Sequence, residues 1–188
     1  MFENIRADVM RVHLHIHCNK TLCIFDIFHS LWKNYGLQAL VIYRFGRWLK
    51  NKRDHCFIWT IAIPVYWLLA AGIRKTYDID LSQSADIAPG FYINHFGGIE
   101  VSNCRIGSGC NIQQQVKLGT VKATARELLI GDGVYIGGHT QIHTNISIGN
   151  GVAIGAGTVI TQDIPHHCLV LGNPGRIIQR DYDNSSLL

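Results

Sequence analysis

The chain has 188 residues, of which 47% are apolar and 16% charged, and its formal net charge is +4. That composition excludes disordered, collagen-like and coiled-coil chains, and the length suits one domain or one domain with a small appendage. The modest positive charge admits a phosphate-bearing ligand or an anionic membrane surface and gives no pointer to nucleic acid. Nineteen glycines against 4 prolines are the first anomaly, about 10% glycine where about 7% is usual. The six cysteines, Cys18, Cys23, Cys56, Cys104, Cys110 and Cys168, show no CxxC spacing, and the opening MFENIRADVM lacks a secretory profile. Reduced thiols and a cytoplasmic location are therefore expected.

Residues 1–76 read as helical. Across Asn34–Lys52, Leu37, Leu40, Val41, Phe45, Trp48 and Leu49 recur at three- and four-residue steps with Arg44, Arg47 and Lys50 between them, the pattern of an amphipathic helix. Phe57–Ile73 follows as an almost unbroken apolar run interrupted by Pro64, which either kinks one helix or starts a second. The run is at the lower edge of spanning length. A helix buried against its own protein is the leading expectation. The flanking Lys52, Arg53, Arg74 and Lys75 keep open a peripheral contact of 57–73 with the inner face of the membrane. The segment HLHIH (His13, His15, His17) has the alternation of some metal sites but none of their context, and no metal is expected.

From Asp80 the period changes to six. Leu81, Ile87, Ile93 and Ile99 are followed, after a one-residue slip, by Ile106, Ile112 and Leu118. Ile130, Ile136, Ile142, Ile148, Ile154 and Ile160 then hold the spacing without a miss. Val134, Thr140, Ile146, Val152 and Thr158 form a second small or β-branched series, and glycine follows the aliphatic residue at six places. Neither a helix nor a flat strand has this period. A parallel β-helix does, with three hexapeptides per triangular coil, aliphatic side chains stacked inside and small residues at the corners. Thr120–Leu129 breaks the pattern and is read as an excursion loop, a usual place for specificity on a repeat scaffold.

The hexapeptide pattern resembles the left-handed β-helix acyltransferases. Within them, Tyr77–Ile178 resembles the serine acetyltransferase branch in three pieces: DIDLSQSADIAPGFYINHFGGIEV, IGSGCNIQQQVKLGT, and the closing coils with the Gly-x-Pro-x-Arg stretch Gly172–Arg176. The resemblance implies a mainly β protein, a left-handed parallel β-helix over 77–180 after a short helical region, with a tail at 181–188. It also implies acetyl-CoA as co-substrate and a homotrimer, or a dimer of trimers, with coenzyme A in the groove between prisms.

Acyl transfer to a hydroxyl needs a base, donors for the developing oxyanion and a groove for the pantetheine arm. His95 is the expected base and Asp80, fifteen residues earlier, the carboxylate that orients it; both match the family's dyad. Gly98 or Ile99 is expected to supply a backbone N–H to the oxyanion. Asn94 stands where the branch has an Asp for the substrate ammonium, Arg126 matches its carboxylate-binding Arg, and Glu127 replaces the His after it. Gly119, Gly138 and Ala156 match positions lining the coenzyme A groove, and Arg176 a cation near the nucleotide phosphates.

Because Asn94 lacks the charge an amino group calls for, the expected acceptor is a sugar or surface-glycan-precursor hydroxyl. Serine O-acetylation in cysteine synthesis is the alternative, and a non-catalytic scaffold or membrane-docking module the rival of another class. His139 and His143 are not spaced to converge on zinc, and Cys104 and Cys110 are expected to pack rather than react.

Overall fold

A computed structural model describes residues 2–17, 24–51, 56–120 and 127–188. Four helices come first: α1 (Phe2–His17), α2 (Ile24–Lys33), α3 (Tyr35–Asn51) and α4 (Cys56–Tyr77). Asn34 starts α3 as its cap, the side-chain oxygen accepting from Leu37 N–H at 2.8 Å. Leu37, Leu40 and Leu49 are buried as the spacing predicts, whereas Val41, Phe45 and Trp48 are only partly covered.

Arg44 departs from expectation. Instead of lying on a solvent face it is 5% exposed and paired with Asp8, itself 1% exposed, at 3.1 Å. Arg44 also donates to the Ile87 and Ala88 carbonyls, while Asp8 accepts from the Gly90 and Phe91 N–H groups. The pair thus clamps α1 and α3 onto the first coil of the solenoid. Each charge is satisfied on several sides, which is what makes burial of an ion pair tolerable. Desolvation nevertheless holds the Asp8 carboxyl above its ordinary range, against the opposing pull of Arg44.

The solenoid has five coils. The first is β1 (Ile79–Leu81), β2 (Asp86–Ile87) and β3 (Tyr92–Ile93); the second is β4 (Ile99–Val101), β5 (Cys104–Ile106) and β6 (Asn111–Ile112). The third is β7 (Lys117–Thr120), β8 (Leu128–Ile130) and β9 (Tyr135–Ile136); the fourth is β10 (Gln141–His143), β11 (Ser147–Ile148) and β12 (Ala153–Ile154). β13 (Val159–Ile160) and β14 (Leu169–Leu171) make the fifth, and β15 (Arg176–Gln179) turns back antiparallel on β14. Every other pairing is parallel, in three sheets ordered β1-β4-β7-β10-β13, β2-β5-β8-β11 and β3-β6-β9-β12-β14.

Side chains in register stack through the interior. Ile87, Ile106, Ile130 and Ile148 form one column, Ile93, Ile112, Ile136, Ile154 and Val170 another. All are buried, as is the second series Val134, Thr140, Ile146, Val152 and Thr158. The third column runs Leu81, Val101, Leu118, Ile142, Ile160, so the register partner of Leu81 is Val101 and not Ile99. The apparent one-residue slip is therefore two residues gained at the corner between β3 and β4 and one lost between β4 and β5.

The excursion loop is shorter than the pattern predicts: Thr120 belongs to β7, and Leu128 and Leu129 to β8. Beyond β15 the chain runs back over the third sheet, where Asn184 donates to the Gly133 and Val152 carbonyls.

Candidate active site

The enlarged corner between β3 and β4 carries His95. Asp80 pairs with Glu100, twenty residues on, whereas Gln141 pairs with Val159, eighteen on. The surplus length pushes Asn94–Gly98 out of the prism, and His95 is exposed there, its imidazole free of hydrogen bonds and ion pairs to the described residues.

The expected partner is elsewhere. The Asp80 carboxylate lies 3.4 Å from Arg74 at the end of α4, both about half-exposed, and no hydrogen bond joins it to His95. The reason is register: Asp80 projects outward from the middle of β1, flanked by inward Ile79 and Leu81, beside Glu100 rather than beside the corner. The carboxylate that does reach the His95 loop is Asp78. Its Oδ2 accepts from Gly98 N–H at 2.8 Å, and its backbone carbonyl accepts from Ile99 N–H at 3.0 Å. Both N–H groups expected to serve an oxyanion are thus already engaged.

Glycine is required at 98. Its φ is +66°, and a Cβ there would strike the Gln115 side chain on the next coil. Tyr35, Tyr77 and Phe96 close the other side of the loop. The two tyrosine rings stack at 4.3 Å and Phe96 meets Tyr35 edge-on at 5.0 Å, with the Phe96 ring left 53% exposed.

His95 heads an edge that runs the length of the prism. Gln115 N–H donates to Gly97 O, His139 N–H to Gln114 O and Gly157 N–H to Gly138 O, each at 2.8 or 2.9 Å. This ladder stacks successive corners, so His95, Gly138 and Ala156 share one edge, three rungs from first to last, or about 14 Å. Gly119 lies apart, near the corner that follows β7, where a Cβ would fall on the Ser102 carbonyl oxygen. Its small size is explained by the fold alone. Arg176 is exposed on β15.

The acceptor positions are also scattered within one chain. Asn94 accepts from the Tyr92 hydroxyl at 3.4 Å, next to His95. Glu127 sits at the corner leading into β8 and pairs with Arg105 at 3.5 Å, while Arg126 lies outside the described residues. A cavity of about 330 Å³ opens between α4 and the first two rungs of the first sheet; Asp80, Glu100, Arg74 and Ser82 give it polar walls, and His95 does not line it.

Comparison with known proteins fits this architecture. The family profile described as "Bacterial transferase hexapeptide (six repeats)" matches residues 129–162. The serine acetyltransferase of Synechococcus elongatus is 33% identical over 149 residues, 77% of this chain and 57% of the relative. The chain therefore carries hexapeptide repeats of the kind that profile describes, on a left-handed β-helix. The serine acetyltransferase structure from Vibrio cholerae superposes with a TM-score of 0.77 at 28% identity, covering 95% of this chain and 66% of that one. A serine acetyltransferase solved in complex with CoA gives 0.75 at 25% identity, covering 94% and 68%. The chain spans about half the length of the curated relatives it matches.

Two groups of residues remain, the buried cysteines and the histidines of α1. Burial pushes the Cys104 and Cys110 thiols up to about 12, far above the range in which a thiolate attacks. His13 is buried in the helical region, and the side chains of His15 and His17 lie outside those described. Among the described residues no group of three or more His, Cys, Asp or Glu converges as a metal-ligand set.

Proposed function

We propose that this hexapeptide-repeat transferase moves an acetyl group from acetyl-CoA to the hydroxyl of a small acceptor, with L-serine first among acceptors. The observation that carries the reading is an exposed imidazole, unpaired among the described residues, at the enlarged corner of the first coil, heading the edge that also holds Gly138 and Ala156. Relatives named as serine acetyltransferases, and one of them solved with CoA, support both donor and acceptor. They move serine ahead of the sugar hydroxyl that Asn94 favours.

In this mechanism His95 takes the acceptor's hydroxyl proton as the oxygen attacks the thioester carbonyl. It returns that proton to the departing thiolate, leaving an O-acetyl ester and free CoA. For Asp80 to stabilise the imidazolium, its exposed pair with Arg74 has to yield, at about 0–1 kcal/mol, and the His95 corner has to turn toward β1. The oxyanion needs a donor other than the Gly98 and Ile99 N–H groups as they are now bonded. Gly138 and Ala156 line the pantetheine path and Arg176 meets the nucleotide phosphates, while Gly119, at another corner, reaches the coenzyme only as part of a neighbouring protomer. Asn94 meets the acceptor from its own chain.

Glu127 leaves from a different corner of the prism, so its contact with the same acceptor, together with that of Arg126 before it in sequence, calls for a neighbouring protomer of a cytoplasmic homotrimer, or of paired trimers. A glycan hydroxyl is the second reading, favoured by the amide of Asn94 and by the open ring of Phe96 beside His95.

The test is thiol release from acetyl-CoA across L-serine, homoserine and nucleotide sugars. Turnover with L-serine that disappears in His95→Ala is the expected result. Release with sugars alone installs the second reading, and an active His95→Ala variant overturns the mechanism.

A further inference from the structure

The helical region exposes a surface that acetyl transfer does not use. Six of the fourteen large hydrophobic side chains that stand exposed among the described residues fall within nine positions of α4: Ile61, Ile63, Val65, Trp67, Leu68 and Leu69. The whole solenoid contributes four. Leu68 is 75% exposed and Ile61 62%, values ordinary for lysine and costly for a helix of leucine, isoleucine and valine.

Among the described side chains α4 is covered along one stripe, Tyr66, Ala70, Ile73 and Tyr77, at three- and four-residue spacing toward α3 and β1, with Arg74 beside it paired to Asp80. A helix that is apolar on every side belongs inside a protein or against lipid. This one is apolar on every side and covered on one.

What covers the rest is indicated by chemistry. Between Ile61 and Ile73 the only side chains able to hydrogen-bond are the buried Tyr66 and the indole of Trp67. A protein partner's interface carries about one hydrogen bond per 100–200 Å² and a polar rim, which this stripe does not offer. Neither α3 nor α4 contains an Asp or Glu. The exposed line Ile61, Val65, Leu68, Gly72 continues at helical spacing into Lys75, and Lys50 is exposed at the end of α3. An apolar strip ending in lysine, with a tryptophan on its flank, is built for the boundary between acyl chains and anionic headgroups.

We propose that α4 docks this protein on an anionic bilayer surface, its Ile61–Gly72 strip in the interface and Lys75 at the headgroups. No helix among the described residues is long and apolar enough to cross a membrane. The contacts of α4 with α3 and β1 hold it alongside the protein, which suits lying on a surface.

The test is flotation of the full chain with vesicles of phosphatidylcholine alone and of phosphatidylcholine containing phosphatidylglycerol. The protein should rise with the anionic vesicles, less with the neutral ones, and lose binding as salt is added. Val65→Glu with Leu68→Glu should weaken vesicle binding at least about tenfold and leave turnover in vesicle-free buffer unchanged. Should that pair fail to fold, Lys75→Glu tests the same surface by weakening binding to the anionic vesicles alone. Absence of vesicle binding, or binding indifferent to these substitutions, overturns the proposal. A fall in molar mass of Val65→Glu with Leu68→Glu by light scattering, without wild-type vesicle binding, would assign the strip to contacts between copies.

Discussion

The fourth coil and the first are made by the same rule and differ where it is broken. From β10 to β13 the turn of the solenoid takes eighteen residues, and each interior position carries Ile, Val or Thr. The first coil takes twenty, and both extra residues lie in the corner Asn94–Gly98. Regular coils spend their sequence on burial, and the irregular corner presents a side chain outward. A rigid stack on one side and an added loop on the other is how a repeat scaffold holds a reactive group in place.

The comparison can be broken most directly at His95. His95→Ala should lower kcat by a factor of about 10² to 10⁴ while the thermal melt is unchanged, because the residue is exposed and supports no packing. Loss of the fold instead would mean that the corner is structural. The clamp between helices and first coil should behave in the opposite way. Asp8→Ala strands the buried Arg44 and should cost about 3–5 kcal/mol in urea unfolding.

Asp80 in β1 and Asp78 just before it sharpen the contrast. Asp80→Asn should reduce kcat and leave stability alone, since its pair with Arg74 is exposed. Asp78→Ala should release the Gly98 N–H, loosen the corner and lower both kcat and the melting temperature, the bond itself contributing about 1.5–3 kcal/mol. If only Asp78→Ala impairs turnover, the steering carboxylate has been misassigned.

A smaller effect separates the interior from the corner by pH. Cys104 and Cys110 have thiols raised from 9.0 to about 12 in the folded chain. An unfolded thiol ionises above pH 9 while the folded one keeps its proton, so the unfolded state binds fewer protons and stability falls as pH rises from 9 toward 12. Each thiol should add a slope of about 1.4 kcal/mol per pH unit in that window, and Cys104→Ala should remove one share. Arg47→Ala, which removes a partly exposed pair with Asp86, should cost no more than about 1 kcal/mol in the same urea titration.

Much of this protein was legible in its sequence, for a physical reason. A solenoid is quasi-one-dimensional, so each residue's environment follows from its place in a short local repeat. Ile130 to Ile160 at steps of six could hardly be anything else, and the family profile falls on that same stretch. His95 was legible too, as an imidazole just past an inward Ile93. What lay beyond reach depends on contacts between distant segments. The surplus at the corner looked like a slip of one because a gain of two and a loss of one sum to it. Arg44 reads as a surface cation unless Asp8, thirty-six residues earlier, is known to face it.

Sequence alone therefore determined the solenoid, its inward columns and the imidazole offered at its edge, because all three are set by spacing along the chain. Tertiary structure decided that Asp78 rather than Asp80 holds the corner and that Arg44 is buried. It also decided that α4, apolar throughout, is covered on one side only. Hydrogen bonding and burial are properties of what surrounds a residue, and for these residues the surroundings come from other parts of the fold.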